Sequence, residues 1–311
     1  MRFLVTGGAG FIGSNIVEGL LSKGYQVKII DNLSTGNLKN LSGMLDKIEF
    51  IEGDIGDLKL LKESFKDVDF VLHQAALRSV PRSIKEPIKT NEVNANGTLK
   101  VLVAARDAGV KRVVYASSSS VYGDCKSLPN MESMEAKPIS PYAISKLVGE
   151  HYCRLFYDTY GLETVSLRYF GVFGPRQDPD SQYSSVIPLF IKAFMHGKKP
   201  AIFGDGKQTR DFTFVKNVVG ANILACSSKN ACGKVFNIAC NKSTNLIELI
   251  VKIGKIFGRE IKPTYTRPRE GDVKHTLADI SLAGKILGYK PTHSIDEGLK
   301  LTVDWYKNEC K

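Results

Sequence analysis

Tyr142 and Lys146 stand four residues apart in Pro141-Tyr-Ala-Ile-Ser-Lys146. On a helix starting after Pro141 the two side chains share one face, one turn apart. A free tyrosine has a pKa of about 10 and is a poor base near neutrality. A nearby ammonium favours the phenolate and makes it a usable general base. Tyr-x-x-x-Lys also recurs on ordinary helix surfaces, so the pair needs context. The context is Ser117, Ser118, Ser119 and Ser120, which follow the apolar stretch 112–116. Hydroxyls at the carboxyl end of a parallel strand lie where open α/β sheets bind ligands. There they can bond a reacting substrate oxygen and the tyrosine together; a turn or helix cap is the plainer use of such serines.

The elements that must position these groups begin at the N-terminus. Residues 2–6 form a short apolar run, followed by Gly7, Gly10 and Gly13 and an apolar-periodic stretch to about Lys23. This pattern predicts a buried strand, a tight turn and a helix whose N-terminus faces a pyrophosphate. A second strand over 26–30 ends at Asp31, 18 residues after Gly13, where a carboxylate can bond ribose hydroxyls. It would repel a 2′-phosphate, so NAD is expected rather than NADP. A cationic nicotinamide ring would further favour a Tyr142 phenolate.

Strands are predicted at 48–53, 69–72, 112–117 and 163–169, and helices at 57–67, 92–109 and 141–160. The alternation implies an α/β fold, a Rossmann-type doubly wound parallel sheet. Residues 1–173 are expected to form the NAD-binding domain. Residues 174–311 are expected to form mainly a smaller, mixed α/β substrate domain, with later segments returning to the first. That second part reads as loops near 174–184 and 204–211 and helices near 185–197, 215–228, 244–257 and 279–287.

A chain of 311 residues can bury a full core. No apolar run reaches the ~18 residues of a membrane span, and the chain enters its first strand without a signal peptide. Cys125, Cys153, Cys226, Cys232, Cys240 and Cys310 lack ligand spacing, so free thiols in a reducing cytoplasm and no metal site are expected. The net charge is +11 and the pI about 9.2. The basic residues are dispersed and no nucleic-acid motif is visible, so the balance better suits diphosphate-bearing ligands.

The motifs Thr6-Gly-Gly-Ala-Gly-Phe-Ile-Gly-Ser-Asn15, His73-Gln-Ala-Ala76, Ser118-Ser-Ser-Val-Tyr-Gly123, Tyr142-x-x-x-Lys146, Leu167-Arg-Tyr-Phe170, Phe203-Gly-Asp-Gly206, Thr209-Arg-Asp-Phe212 and Arg269-Glu-Gly-Asp-Val273 span the chain. They resemble the extended short-chain dehydrogenase/reductases, most closely nucleotide-sugar 4-epimerases of the UDP-hexose type. The resemblance implies Ser118, Tyr142 and Lys146 as catalytic residues. Tyr142 would take the O4 proton through Ser118, and Lys146 would hold the nicotinamide ribose and lower the tyrosine pKa. Oxidation at C4, rotation of the 4-keto sugar and reduction from the other face would follow, with NAD retained.

For the cofactor the resemblance and the glycine motif imply Gly7, Gly10, Phe11, Ile12, Gly13, Asp31, Asn32, Ser34, Thr35 and Gly36. Asp54 and Ile55 would lie by the adenine. Gln74, Ala75, Ala76 and Arg78 would line the pyrophosphate and nicotinamide side, with Asn94, Tyr142, Lys146 and Tyr169 nearby. For the substrate it implies Ser79 and Val80 beside the sugar, Ser118, Ser119, Ser120, Tyr142 and Gly171 at the reacting end, and Val186 and Phe203 at the uridine. Arg210 and Arg269 would clamp the diphosphate, with Asp272 and Thr276 completing the pocket.

Related dehydratases carry an Asp-Glu pair, and related decarboxylases a glutamate, where this chain has Ser119 and Ser120. Epimerisation is therefore the expected outcome. Thr276, before Leu277-Ala-Asp279, occupies a position where a bulky residue restricts N-acetyl sugars. Its small size points to UDP-N-acetylglucosamine and its galacto epimer. UDP-glucose/galactose, or a bulkier N-acetylated or acidic derivative, is the alternative; a non-catalytic NAD-binding sensor is another. Gly171 replaces a family asparagine. A homodimer paired through the helices at 92–109 and 141–160 is implied as well.

Overall fold

The computed structural model describes residues 1–180, 185–267 and 273–309. In chain order the first part contains β1 (Arg2–Thr6), α1 (Phe11–Leu21), β2 (Gln26–Asp31), β3 (Ile48–Glu52), α2 (Leu58–Ser64), β4 (Phe70–His73), α3 (Val80–Lys85), α4 (Pro87–Asn91), α5 (Gly97–Asp107), β5 (Arg112–Ser118), α6 (Pro141–Tyr160) and β6 (Glu163–Tyr169). The later part contains β7 (Val172–Phe173), α7 (Val186–Met195), β8 (Ala201–Phe203), β9 (Thr209–Asp211), β10 (Thr213–Phe214), α8 (Val215–Ser227), β11 (Lys234–Ile238), β12 (Ser243–Asn245), α9 (Leu246–Phe257), β13 (Thr264–Thr266), α10 (Ser281–Leu287) and α11 (Ile295–Glu309).

Seven strands form one sheet in the order β3-β2-β1-β4-β5-β6-β11, and all neighbours are parallel. Alternate residues feed opposite faces, as strand geometry requires. Phe3 and Val5 join Ile16, Val17 and Leu20 of α1 and Val218 of α8. Leu4 joins Leu61 of α2, Val101 of α5 and Phe156 of α6 on the other face. The chain runs outward from β1 to β3 and returns at β4 beside β1. That reversal opens a crevice at the carboxyl ends of β1 and β4.

The later part does not stay apart from this sheet. Strand β11 pairs with β6, and α8 and α10 pack on the β1–α1 side. A separate core gathers Phe190, Ile191 and Phe194 of α7, Leu249, Ile250 and Ile253 of α9, and Leu299, Val303 and Tyr306 of α11.

Some local expectations need correction. The continuous α-helix expected over 92–109 is instead a π-helical turn over Glu92–Asn96 followed by α5, with α4 leading into it. The turn widens because Asn94 turns its side chain to the Leu77 backbone while Thr98 Oγ1 donates to the Asn94 carbonyl at 2.5 Å. Residues 80–91 form α3 and α4, started by Ser79 and by Pro87 at a first helical position. Helix α11 was not anticipated, although it buries Leu299, Thr302, Val303 and Tyr306 at helical spacing. Residues 209–211, expected in a loop, form β9, paired antiparallel with β12.

Candidate active site

The glycine turn between β1 and α1 is built so that no side chain fits. Gly7 has φ of 70°, and a Cβ there would sit 2.7 Å from the Ala75 amide nitrogen. A Cβ on Gly13 would sit 2.1 Å from the Gly7 carbonyl oxygen. Gly10 caps α1, with Phe11, Ile12 and Gly13 in its first turn, so unpaired amides face the crevice. Asp31 ends β2, and its carboxylate accepts from Ala9 N at 2.9 Å and Leu33 N at 2.8 Å. Burial pushes its pKa up, and those two backbone donors pull it back. Gly36 covers the same carboxylate; a Cβ there would fall 2.8 Å from Asp31 Oδ1. The crevice is thus open to a dinucleotide where backbone must approach it, with an acid placed for ribose hydroxyls. These residues fit NAD.

Beside it, Asn32 Nδ2 donates to Asp54 Oδ2 at 2.6 Å, and Ser34 N donates to Asn32 Oδ1 at 3.1 Å. Thr35 follows them in the same loop, and Ile55 is buried next to Asp54. Gln74 and Tyr169 meet near Asn222, with Gln74 Nε2 3.3 Å from the tyrosine hydroxyl. Ala75 N donates to Thr6 Oγ1, which also meets His73 Nδ1 at 2.7 Å; His73 Nε2 reaches Thr98 Oγ1 at 3.0 Å. Asn94, expected near the cofactor, has its amide engaged by protein groups. It accepts from Leu77 N at 2.8 Å and donates to Leu77 O and Ser145 Oγ. It therefore shapes the loop carrying Ala76, Leu77 and Arg78.

The reacting groups converge at the end of β5. Ser118 is the last residue of the strand and caps the turn Ser119–Tyr122. Its hydroxyl faces the Tyr142 phenol and accepts from Ser120 Oγ at 2.9 Å. Ser140 caps α6, accepting from Ala143 N, and Pro141 opens it, which places Tyr142 in the first turn. Burial raises the Tyr142 pKa; the Ser118 hydrogen bond and the positive charge of Arg78 act against it. Lys146 is buried, and its Nζ donates to the Ala116 carbonyl at 2.8 Å. Burial lowers its pKa to about 8.

Ser79 caps α3 at φ 149°, a backbone region that side chains rarely adopt, and Val80 follows at the helix start. On the far side, Val186 begins α7 and Phe203 ends β8. Arg210, in β9, donates from Nη1 to Thr209 O at 2.9 Å and Lys274 O at 3.1 Å. Thr276 N donates to Thr209 O at 3.1 Å, and Thr276 Oγ1 accepts from Asp211 N at 3.3 Å. Gly171 has φ of 41° and packs on the Asp211 carbonyl. Arg269 and Asp272 lie outside the described residues.

Sequence reasoning gave no role to Glu150, which accepts from Arg168 at 2.8 and 2.7 Å and from Ser117. The signal was present: Glu150 continues the four-residue series of Tyr142 and Lys146. Among the described residues no cluster of His, Cys, Asp and Glu could hold a metal, and no helix is long and apolar enough to cross a membrane.

A doubly wound sheet with a dinucleotide crevice, and a Ser-Tyr-Lys group at its edge, defines a cofactor-dependent enzyme of the short-chain dehydrogenase/reductase type. The chain belongs to the NAD dependent epimerase/dehydratase family, whose profile matches residues 3–239, and NAD is its cofactor. It is 43% identical over 307 residues to a putative UDP-glucose 4-epimerase of Methanocaldococcus jannaschii, covering 98% of each chain. It resembles the solved UDP-N-acetylglucosamine 4-epimerase from Methanobrevibacter ruminantium in complex with UDP-N-acetylmuramic acid. The TM-score is 0.95 and the identity 42%, covering 99% of this chain and 98% of that one. The UDP-glucose 4-epimerase of Thermotoga maritima, solved with UDP-glucose, matches with a TM-score of 0.95 and 38% identity over 100% of both chains.

Proposed function

We propose that this enzyme is a UDP-hexose 4-epimerase that interconverts UDP-N-acetylglucosamine and UDP-N-acetylgalactosamine. The observation that carries the chemistry is the placement of Ser118, at the carboxyl end of β5, beside the Tyr142 phenol and next to the crevice built by Gly7, Gly13 and Asp31. The 4-epimerase names of the relatives support the same reading.

In the proposed mechanism Tyr142 removes the proton from the sugar O4 and later returns it, with Ser118 bridging the two oxygens. Ser120 Oγ donates to Ser118 and so orients that bridge. Lys146 and Arg78 bring positive charge to the site and favour the phenolate. Asp31 and the glycine turn hold NAD, which when bound supplies the hydride acceptor and donor for C4. Arg210, Phe203 and Val186 hold the uridine diphosphate while the sugar turns over. Ser119 and Ser120 place no carboxylate at the reacting carbon, so neither elimination nor decarboxylation has a general acid or base there.

The N-acetylated sugar is supported by the small Thr276 and by the substrate named for the Methanobrevibacter relative. The names of the Methanocaldococcus and Thermotoga relatives favour UDP-glucose as the second reading. Two copies paired along α5 and α6 would cover Ile144 and Leu155, each 50% exposed on α6.

The test is conversion of UDP-N-acetylglucosamine and UDP-glucose in separate reactions without added NAD, followed by proton NMR of the anomeric signals. The expected result is a higher kcat/KM for the N-acetylated sugar. A higher value for UDP-glucose replaces the substrate assignment. Bound NAD with no turnover of either sugar, or of UDP-N-acetylmuramic acid, points to a sensor and overturns the enzymatic reading.

A further inference from the structure

Behind Tyr142 and Lys146 lies a buried ion pair that the proposed mechanism does not use. Arg168 of β6 donates from Nε to Glu150 Oε1 at 2.8 Å and from Nη2 to Glu150 Oε2 at 2.7 Å. The two side chains are only 6% and 4% exposed. Ser117 Oγ donates to the same carboxylate. We propose that the Glu150–Arg168 pair, with Ser117, is a positioning device that locks the helix bearing Tyr142 and Lys146 to the strand end bearing Ser118.

The placement makes the case. Tyr142, Lys146 and Glu150 repeat every four residues along one face of α6. Ser117 and Ser118 are consecutive on β5, so the carboxylate grips the strand one residue from the hydroxyl that meets Tyr142. Lys146 itself is anchored to Ala116 O on that strand. Helix and strand are thus pinned at three successive strand residues, 116–118. The guanidinium lies 4.7 Å over the Tyr122 ring, whose hydroxyl donates to Asn237 Oδ1 at 2.7 Å, which extends the lock to β11.

Stability alone is a weak reason for such a pair. Desolvating two charges commonly costs as much as their attraction returns. Here Arg168 Nη1 is buried without a partner, so the cation is incompletely satisfied. Around Lys146, burial disfavours charge on its neighbours. His73 on β4 is held neutral, its pKa depressed to about 3. Tyr115 on β5 has its pKa raised well above 10, and burial raises Cys153 on α6 to about 12. Tyr142 is likewise raised. Burial lowers the Lys146 pKa as well, and Cys153 and then Glu150 act against it.

The inference rests on the epimerase reading, which wild-type turnover and its loss in Tyr142→Phe check separately. Glu150→Gln alone strands a buried cation and endangers folding. The informative variant is Glu150→Leu with Arg168→Met, which removes both charges at similar volume. It should fold, retain NAD and keep KM within about twofold, while kcat falls roughly tenfold, as expected for a slightly misplaced reacting group. Ser117→Ala keeps both charges and should lower kcat several-fold with KM unchanged. A double variant with wild-type kcat overturns the proposal. If the double variant does not fold, Ser117→Ala decides alone, and wild-type kcat in it overturns the proposal.

Discussion

Gly171 and Thr276 grip the two ends of one residue's backbone, that of Asp211. Thr276 Oγ1 accepts from the Asp211 amide at 3.3 Å. A Cβ on Gly171 would lie 2.5 Å from the Asp211 carbonyl oxygen. The Asp211 carboxylate in turn accepts from Cys240 N and Ala278 N, and its pKa is raised to about 6 by burial. Two positions that stand 105 residues apart in the chain therefore set the place of β9, the strand that carries Arg210.

Gly171→Ala should accordingly displace β9 as well as strain a backbone at φ 41°. Such a substitution costs about 1 kcal/mol or more. The expected outcome is a lower unfolding free energy and a raised KM for the UDP-sugar, with NAD content unchanged. Denaturant melts and substrate titrations check it. Wild-type KM in a folded variant would separate Gly171 from the substrate site.

Tyr142→Phe removes the proposed base and keeps the ring. Turnover should fall by about 10²–10⁴-fold while NAD and UDP-sugar still bind. Ser118→Ala should lose less, because phenol and O4 can meet directly. Steady-state assays with bound NAD quantified after acid release decide both. Activity of Tyr142→Phe within a few-fold of wild type would exclude the tyrosine as base.

How legible this was in the sequence follows from the range of each interaction. The strand–glycine–helix start, Asp31 and the Tyr142–Lys146 pair are local patterns, each fixed by residues within a few turns of one another. They were readable for that reason. The break at Glu92–Asn96 was not, because its cause is a bond from Asn94 to Leu77, a partner outside the helical repeat. The same holds for Lys146. Spacing put it beside Tyr142, but only the fold shows its ammonium drawn to Ala116 and Arg78 acting on the phenol. The return of β11 to the sheet depends on pairing with β6, about seventy residues earlier, which no local periodicity encodes.

His73 provides a test in acid. It is buried between Thr6 and Thr98, and burial, aided by the charge of Lys146, depresses its pKa from 6.5 to about 3. The folded protein therefore holds the neutral ring. The stability this contributes is present above pH 6.5 and is lost as pH falls toward 3. Between those values the unfolded state binds the extra proton, so unfolding free energy drops by up to about 1.4 kcal/mol per pH unit from this group. His73→Gln should flatten the acid slope relative to wild type in denaturant melts from about pH 6 to about pH 4. Superimposable slopes would show that His73 is not the group titrating.

Arg210→Ala should weaken binding of the nucleotide. A charged hydrogen bond to a buried diphosphate is worth about 1.5–3 kcal/mol, or roughly ten- to a hundred-fold in affinity. The guanidinium now donates to Thr209 O and Lys274 O. The measured loss should fall within that range. Calorimetry with UDP alone checks it, and unchanged affinity would remove Arg210 from the diphosphate clamp.

Thr276 separates bulk from bonding in the choice of sugar. Its hydroxyl serves Asp211 N, so any substitution that removes the hydroxyl loosens β9 to some degree. Thr276→Val keeps the size and loses that bond. It should lower kcat/KM for UDP-N-acetylglucosamine and UDP-glucose by similar factors. Thr276→Tyr loses the bond and adds a ring at the pocket wall, which clashes with an acetamido group and not with a hydroxyl. Its ratio of kcat/KM for the N-acetylated sugar over UDP-glucose should therefore fall well below that of Thr276→Val. Because the comparison is a ratio of ratios, damage shared by both substrates cancels. Equal ratios in the two variants would show that the side chain at 276 acts only through Asp211, and would withdraw the chief structural support for an N-acetylated substrate.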